Sequence, residues 1–84
     1  MERFRPEAEP VTVYSKESCV QCTATYRALG KYAIEYVVVN LEDVPEKVEE
    51  FKSEGLLQAP IVDTGEERWS GFRPDKISEY ASGQ

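Results

Sequence analysis

The apolar positions of the chain change period several times, and each change predicts an element. Val11-Thr12-Val13-Tyr14 is a short β-branched and aromatic run that suits a buried strand. Ser18 stands three residues before Gln21, the spacing of a capping box. With Ser18 as the cap, a helix starts at Cys19, runs to about Leu29 and is ended by Gly30. Cys22, Tyr26 and Leu29 recur at i, i+4 and i+7 and give this helix an inward face. From Ile34 to Val39 the residues are nearly all Ile, Tyr or Val, as in a parallel strand covered on both faces.

Asp43 and Glu46 form a second cap-like pair, with Pro45 in the first turn, where its missing N–H is not needed. Val44, Val48 and Phe51 make the buried stripe of that helix, and Gly55 stops it. Its acids, Glu46, Glu49, Glu50 and Glu54, read as a solvated face. Ile61-Val62-Asp63 and Glu66-Glu67-Arg68-Trp69 flank Thr64-Gly65 and predict a β-hairpin. Pro74 opens a last short helix with Ile77, Tyr80 and Ala81 facing inward. The order βαβ–α–ββα predicts an α/β domain of the minimal thioredoxin/glutaredoxin-like fold, a four-stranded mixed sheet flanked by three helices, with a right-handed first crossover.

Eighty-four residues make one domain, and 40% apolar with 31% charged residues suit a globular, soluble one. Residues 1–10 carry two prolines and alternating charges and predict a flexible arm, leaving 11–84 as the domain. A net charge of −6 without histidine lacks the clustered Lys and Arg of a nucleic-acid surface. No segment has the apolar length of a membrane span or a signal peptide, which predicts a cytoplasmic protein.

Charge and length exclude more than they assign, so the chemistry falls to Cys19-Val20-Gln21-Cys22, which contains the only two cysteines. A C-x-x-C at the junction of a strand and a helix, in a reducing compartment, is the pattern of thiol–disulfide exchange. The thiolate is the nucleophile, and a helix N-terminus favours negative charge. A bridge closing four residues is a poor staple: the chain-entropy model assigns it roughly 2 kcal/mol, against about 4.7 for a hundred-residue loop. As a zinc site the pair supplies two soft ligands, with no histidine to complete a tetrahedron unless two copies share the ion. No resident metal is expected.

Three segments carry a resemblance to the NrdH-redoxins: the Cys19–Cys22 tetrapeptide, Gln58-Ala59-Pro60, and Trp69-Ser70-Gly71-Phe72-Arg73-Pro74-Asp75. The last follows that family's W-S-G-F-R-P-[DE] motif at every position, and the resemblance spans roughly residues 11 to 80. It implies a Cys19–Cys22 redox disulfide with Cys19 as nucleophile and Cys22 as resolving thiol. A helix terminus supplies at most about 2 kcal/mol, less than about 1.5 units of acidification. Any further effect falls to hydrogen bonds or to Lys16, three residues upstream. Read on its own, Pro60 is an ordinary trans proline opening a strand; the resemblance makes it cis and turns the Ala59 backbone toward a substrate strand. Trp69 and Phe72 are core residues or a docking surface, with at least one expected beside the dithiol. Ser70, Gly71, Arg73 and Asp75 brace the last helix or touch substrate, and Gln21 supports the helix start.

The implied activity is that of a small dithiol oxidoreductase that reduces a class Ib ribonucleotide reductase on its large subunit. Thioredoxin reductase and NADPH would re-reduce it, with no cofactor bound and the protein acting as a monomer. One alternative is a glutathione-dependent glutaredoxin. The other, from a different class, is a zinc-bridged or redox-inert binding module.

Overall fold

The central strand of the molecule is the one whose side chains meet helices on both sides. In the computed structural model, which describes residues 10–83, β1 (Val11–Ser15) alternates buried and half-buried positions. It pairs in parallel with β2 (Tyr36–Asn40), from Val11↔Tyr36 to Ser15↔Asn40. On its other side it runs antiparallel to β3 (Ile61–Asp63), with Val13 opposite Val62. β4 (Arg68–Ser70) continues the sheet antiparallel to β3, so the order is β2-β1-β3-β4. The helices are α1 (Val20–Lys31), α2 (Pro45–Ser53) and α3 (Pro74–Ser82), with a 3-10 turn at Leu41–Asp43. The predicted fold class is therefore the observed one. The expected arm lies, except for Pro10, outside the described residues.

Side-chain alternation along a strand sorts the two layers. Val11 and Val13 join Leu29 of α1, Val62, Trp69 and Ile77 of α3 in the main core cluster. Tyr14 points the other way and meets Phe51 of α2 edge-on, with ring centroids 4.9 Å apart. Phe51 and Ile77 are 1% and 0% exposed, so α2 and α3 are each anchored by one fully buried side chain.

Several predicted boundaries move, each for a tertiary reason. Ser18 is not the cap: its φ is +56°, and Cys19 takes the N-cap position with extended backbone at φ −110° and ψ 102°. α1 continues past Gly30 to Lys31, because Ile34 and Ala33 donate to the carbonyls of Leu29 and Gly30 at 2.9 and 3.0 Å. Ala33, at φ +57°, takes the left-handed turn assigned to glycine. The strand expected from Ile34 begins at Tyr36 and is an edge strand, not one covered on both faces. Val37 and Val38 are 45% and 51% exposed, since among the described residues β2 has a strand neighbour on one side only.

Asp43 does not cap α2 either. Val44 occupies that position without a side-chain bond, and Asp43 lies in the 3-10 turn that Asn40 caps through Glu42 N–H at 2.8 Å. The second hairpin strand starts at Arg68 rather than Glu66, because 64–67 form a turn closed by Thr64 N–H donating to the Glu67 carbonyl at 3.0 Å. Two of the acids read as solvated, Glu50 and Glu54, instead accept from Arg68 Nη1 at 2.9 Å each, while Asp63 accepts from its Nε at 2.9 Å. Arg68 also lies over the Phe51 ring, 5.2 Å from its centroid, and so ties β4 to α2.

Candidate active site

The loop between β1 and α1 delivers the cysteine pair to one end of the sheet. Cys19 and Cys22 are joined as a disulfide with Cα atoms 5.2 Å apart. The two sulfurs have different surroundings. Cys22 is 2% exposed against the core, whereas Cys19 sits half-exposed at the helix tip. Cys22 N–H donates to Cys19 Sγ at 3.1 Å, so the cap of α1 is a sulfur atom rather than the Ser18 hydroxyl. A thiolate at that place is an acceptor for the same N–H and lies at the positive end of the helix dipole. The first turn of α1 carries no acidic residue to oppose it.

The Ala59–Pro60 bond is cis, as the resemblance implied, and Pro60 is buried at the start of β3. The Pro60 carbonyl accepts from Gly71 N–H at 2.8 Å, so the pairing of Ile61 with Ser70 extends by one bond into the loop after β4. Gln21 Oε1 accepts from Phe72 N–H at 2.9 Å. A Cβ on Gly71 would stand 3.3 Å from Gln21 Oε1 and 3.3 Å from Gln58 Oε1. Three segments therefore converge on Gly71: the first turn of α1, the residues before the cis proline, and the loop that leads into α3.

Trp69 and Phe72, each open between core and docking surface, have different surroundings. Trp69 is 5% exposed and belongs to the main core, so of its two readings the core one holds. Strand β4 points it inward, opposite Val62. Phe72 is half-buried and lines an open groove of about 370 Å³ with Ala24, Ala28 and Pro74, edged by Arg27, Lys31 and Tyr32. Arg73 is held by Asp75 through two contacts, at 3.2 and 2.9 Å. That pair keeps the Asp75 carboxyl below the usual carboxylate range and raises the Arg73 guanidinium. Lys16 is exposed beside the cysteine loop and makes no hydrogen bond or ion pair with another described residue.

A glutaredoxin family model matches residues 11–69. The glutaredoxin-like protein NrdH of Escherichia coli K12 is 41% identical over 68 residues, covering 81% of this chain and 84% of that one. The chain belongs to the NrdH branch of the glutaredoxin family. NrdH of Lactococcus lactis MG1363 is 35% identical over 71 residues, 84% of this chain and 99% of its own. The solved E. coli NrdH-redoxin superposes with a TM-score of 0.77 at 39% identity, over 84% of this chain and 93% of that one. The glutaredoxin of Archaeoglobus fulgidus shares the fold, with a TM-score of 0.69 at 19% identity, over 92% of this chain and 94% of that one.

Membership of this family with the Cys19–Cys22 pair in place makes the protein a thiol–disulfide oxidoreductase. Among the described residues no helix is long and apolar enough to cross a membrane. Two features of the NrdH-type site escaped the sequence pattern. Gln58 was legible only as the neighbour of Ala59-Pro60, with no role attached. Gln21 was legible as half of a capping box, yet its carboxamide reaches 51 residues along the chain to Phe72.

Proposed function

We propose that this NrdH-family protein is a cytoplasmic, monomeric dithiol electron carrier. It reduces a disulfide on the large subunit of a class Ib ribonucleotide reductase and is re-reduced by thioredoxin reductase at the expense of NADPH. Cys19, the half-exposed sulfur at the helix tip, attacks one substrate sulfur as a thiolate. A mixed disulfide forms, the substrate S–S bond breaks, and the first substrate thiolate leaves and takes up a proton. The buried Cys22 then attacks Cys19 Sγ, closing the Cys19–Cys22 disulfide and releasing the second substrate thiol. The substrate gains two electrons and two protons, and the chain ends oxidised. Ala59, next to the cis Pro60, presents its backbone to the substrate strand, and the Gly71-Phe72-Arg73 loop lies beside it, with Phe72 lining the apolar groove.

The observation that carries the choice of reductant is the state of Arg73 and Asp75. A glutathione site needs free carboxylates here for the ammonium end of the tripeptide. In this chain the loop after β4 offers a guanidinium, with Asp75 already engaged by it. Placing an ammonium beside that guanidinium is unfavourable. The solved E. coli relative is described as having a thioredoxin-like activity profile, which supports the same reading.

Following NADPH oxidation with a model disulfide, once with thioredoxin reductase and once with glutathione plus its reductase, tests the donor. The thioredoxin reductase arm is expected to run far faster. Equal or faster turnover with glutathione would place the protein among glutathione-dependent glutaredoxins. The sulfur roles have their own test. Cys22→Ser is expected to hold its target as a mixed disulfide, and Cys19→Ser to hold none; the reverse pattern would exchange the two assignments.

A further inference from the structure

Gln21 lies between the two cysteines in sequence, one bond from the Cys22 backbone. Its geometry directs it elsewhere. The N–H that Cys19 Sγ accepts belongs to Cys22, while the Gln21 carboxamide oxygen is engaged by the Phe72 backbone at 2.9 Å. The segment it holds is tied on its other side as well, through Gly71 N–H to the Pro60 carbonyl at 2.8 Å. Gly71 fits between these ties because it has no side chain, at φ +81° with both glutamine oxygens 3.3 Å from the place of a Cβ. One hydrogen bond thus sets the distance between the cysteine turn and the wall of the groove. Phe72 carries that wall onward to the apolar surface it shares with Ala24, Ala28 and Pro74.

We infer that Gln21 is a positioning residue that selects disulfides carried in a polypeptide over small free disulfides, by holding Gly71-Phe72 in place beside the cysteine pair. A small disulfide needs only the Cys19 sulfur. A polypeptide chain must also pass over Ala59 and the Gly71-Phe72 loop bonded beside it, and it gains from burying the apolar surface of Phe72, Ala24, Ala28 and Pro74. The inference rests on the proposed reaction of the Cys19–Cys22 dithiol and specifies which substrates that dithiol favours.

The test uses pre-reduced full-length protein in single-turnover reactions with insulin and with 2-hydroxyethyl disulfide, quenched by alkylation. Gln21→Met keeps the side-chain length and removes the oxygen; Gln21→Glu keeps an oxygen at that place. Losing one neutral hydrogen bond corresponds to roughly a 2- to 12-fold change. The ratio of the insulin rate constant to the small-disulfide rate constant is expected to fall by that factor in Gln21→Met. Hydrogen exchange at the Phe72 amide should quicken in the same variant. Taking the ratio of the two rate constants cancels any effect of the Glu charge on the sulfur, and Gln21→Glu should restore the parent ratio. A parent ratio in Gln21→Met, or a Gln21→Glu ratio as low as that of Gln21→Met, would overturn the inference. A parent protein that reduces neither disulfide would overturn the proposed reaction itself, a different failure from an unchanged ratio.

Discussion

Gly71→Ala separates two reasons for glycine at one position, and a second glycine supplies the control. Gly71 and Gly55 both have φ +81°, but a Cβ on Gly55 would meet nothing within 4 Å. At Gly55 the substitution carries only the conformational penalty of a left-handed L-residue, roughly 1–2 kcal/mol. At Gly71 the same penalty applies, and the new methyl must also displace two amide oxygens. Gln58 Oε1 is the free end of a flexible side chain and can swing away. Gln21 Oε1 is held by Phe72 N–H, so moving it forfeits a hydrogen bond worth about 0.5–1.5 kcal/mol. Gly71→Ala should then cost roughly 1.5–3.5 kcal/mol in total.

For a domain of this size each kcal/mol lowers Tm by about 4–8 °C. Thermal unfolding followed by circular dichroism should therefore place Gly71→Ala about 2–12 °C below Gly55→Ala. Repeating Gly71→Ala on a Gln21→Ala background closes the cycle. With the held oxygen gone, the cost at position 71 should drop to that at position 55. Equal Tm values for the two single variants, or an undiminished cost in the Gln21→Ala background, would refute the steric argument at Gly71.

Gly30 lies within α1 with open space around its Cα, so Gly30→Ala should stabilise the protein by about 0.5–1 kcal/mol, read as a higher urea midpoint; a lower midpoint would contradict the helical placement of Gly30. Arg68→Gln leaves Asp63, Glu50 and Glu54 without their shared cation and should be less stable than the parent at pH 7. In the parent the Arg68 hydrogen bond holds the Glu50 carboxyl below the usual carboxylate range, so its stabilising effect is complete above the ordinary glutamate range and lost as the pH falls through the lowered value. The difference in urea midpoint between parent and Arg68→Gln should therefore be largest at neutral pH, shrink below about pH 4 and shrink with added salt. A gap that stays constant from pH 7 to pH 3 would mean that Arg68 acts through its packing on Phe51 instead.

The elements and the chemistry were legible in the chain because they depend on local pattern. The β-branched and aromatic run Val11–Tyr14, the i, i+4, i+7 spacing of Cys22, Tyr26 and Leu29, and Pro74 at a helix start each describe a short local stretch. Two cysteines at a strand–helix junction likewise mark exchange chemistry wherever that junction ends up. What depended on distant partners was not legible. A run of Val and Ile reads the same in a central strand and at an edge, and only the order β2-β1-β3-β4 exposes Val37 and Val38. Trp69 was open between core and surface until pairing with β3 turned it inward. Glu50 and Glu54 read as solvated because Arg68, their partner, lies 18 and 14 residues away.

The cap of α1 is the sharpest case. Ser18 and Gln21 match a local capping pattern, yet the cap is the Cys19 sulfur, and Gln21 is drawn to a backbone N–H on another element. A side-chain amide bonds whichever donor the fold leaves unpaired nearest to it. Sequence spacing lists the donors within a turn, whereas the loop after β4 supplies one that exists only once the sheet has brought residues 21 and 72 together.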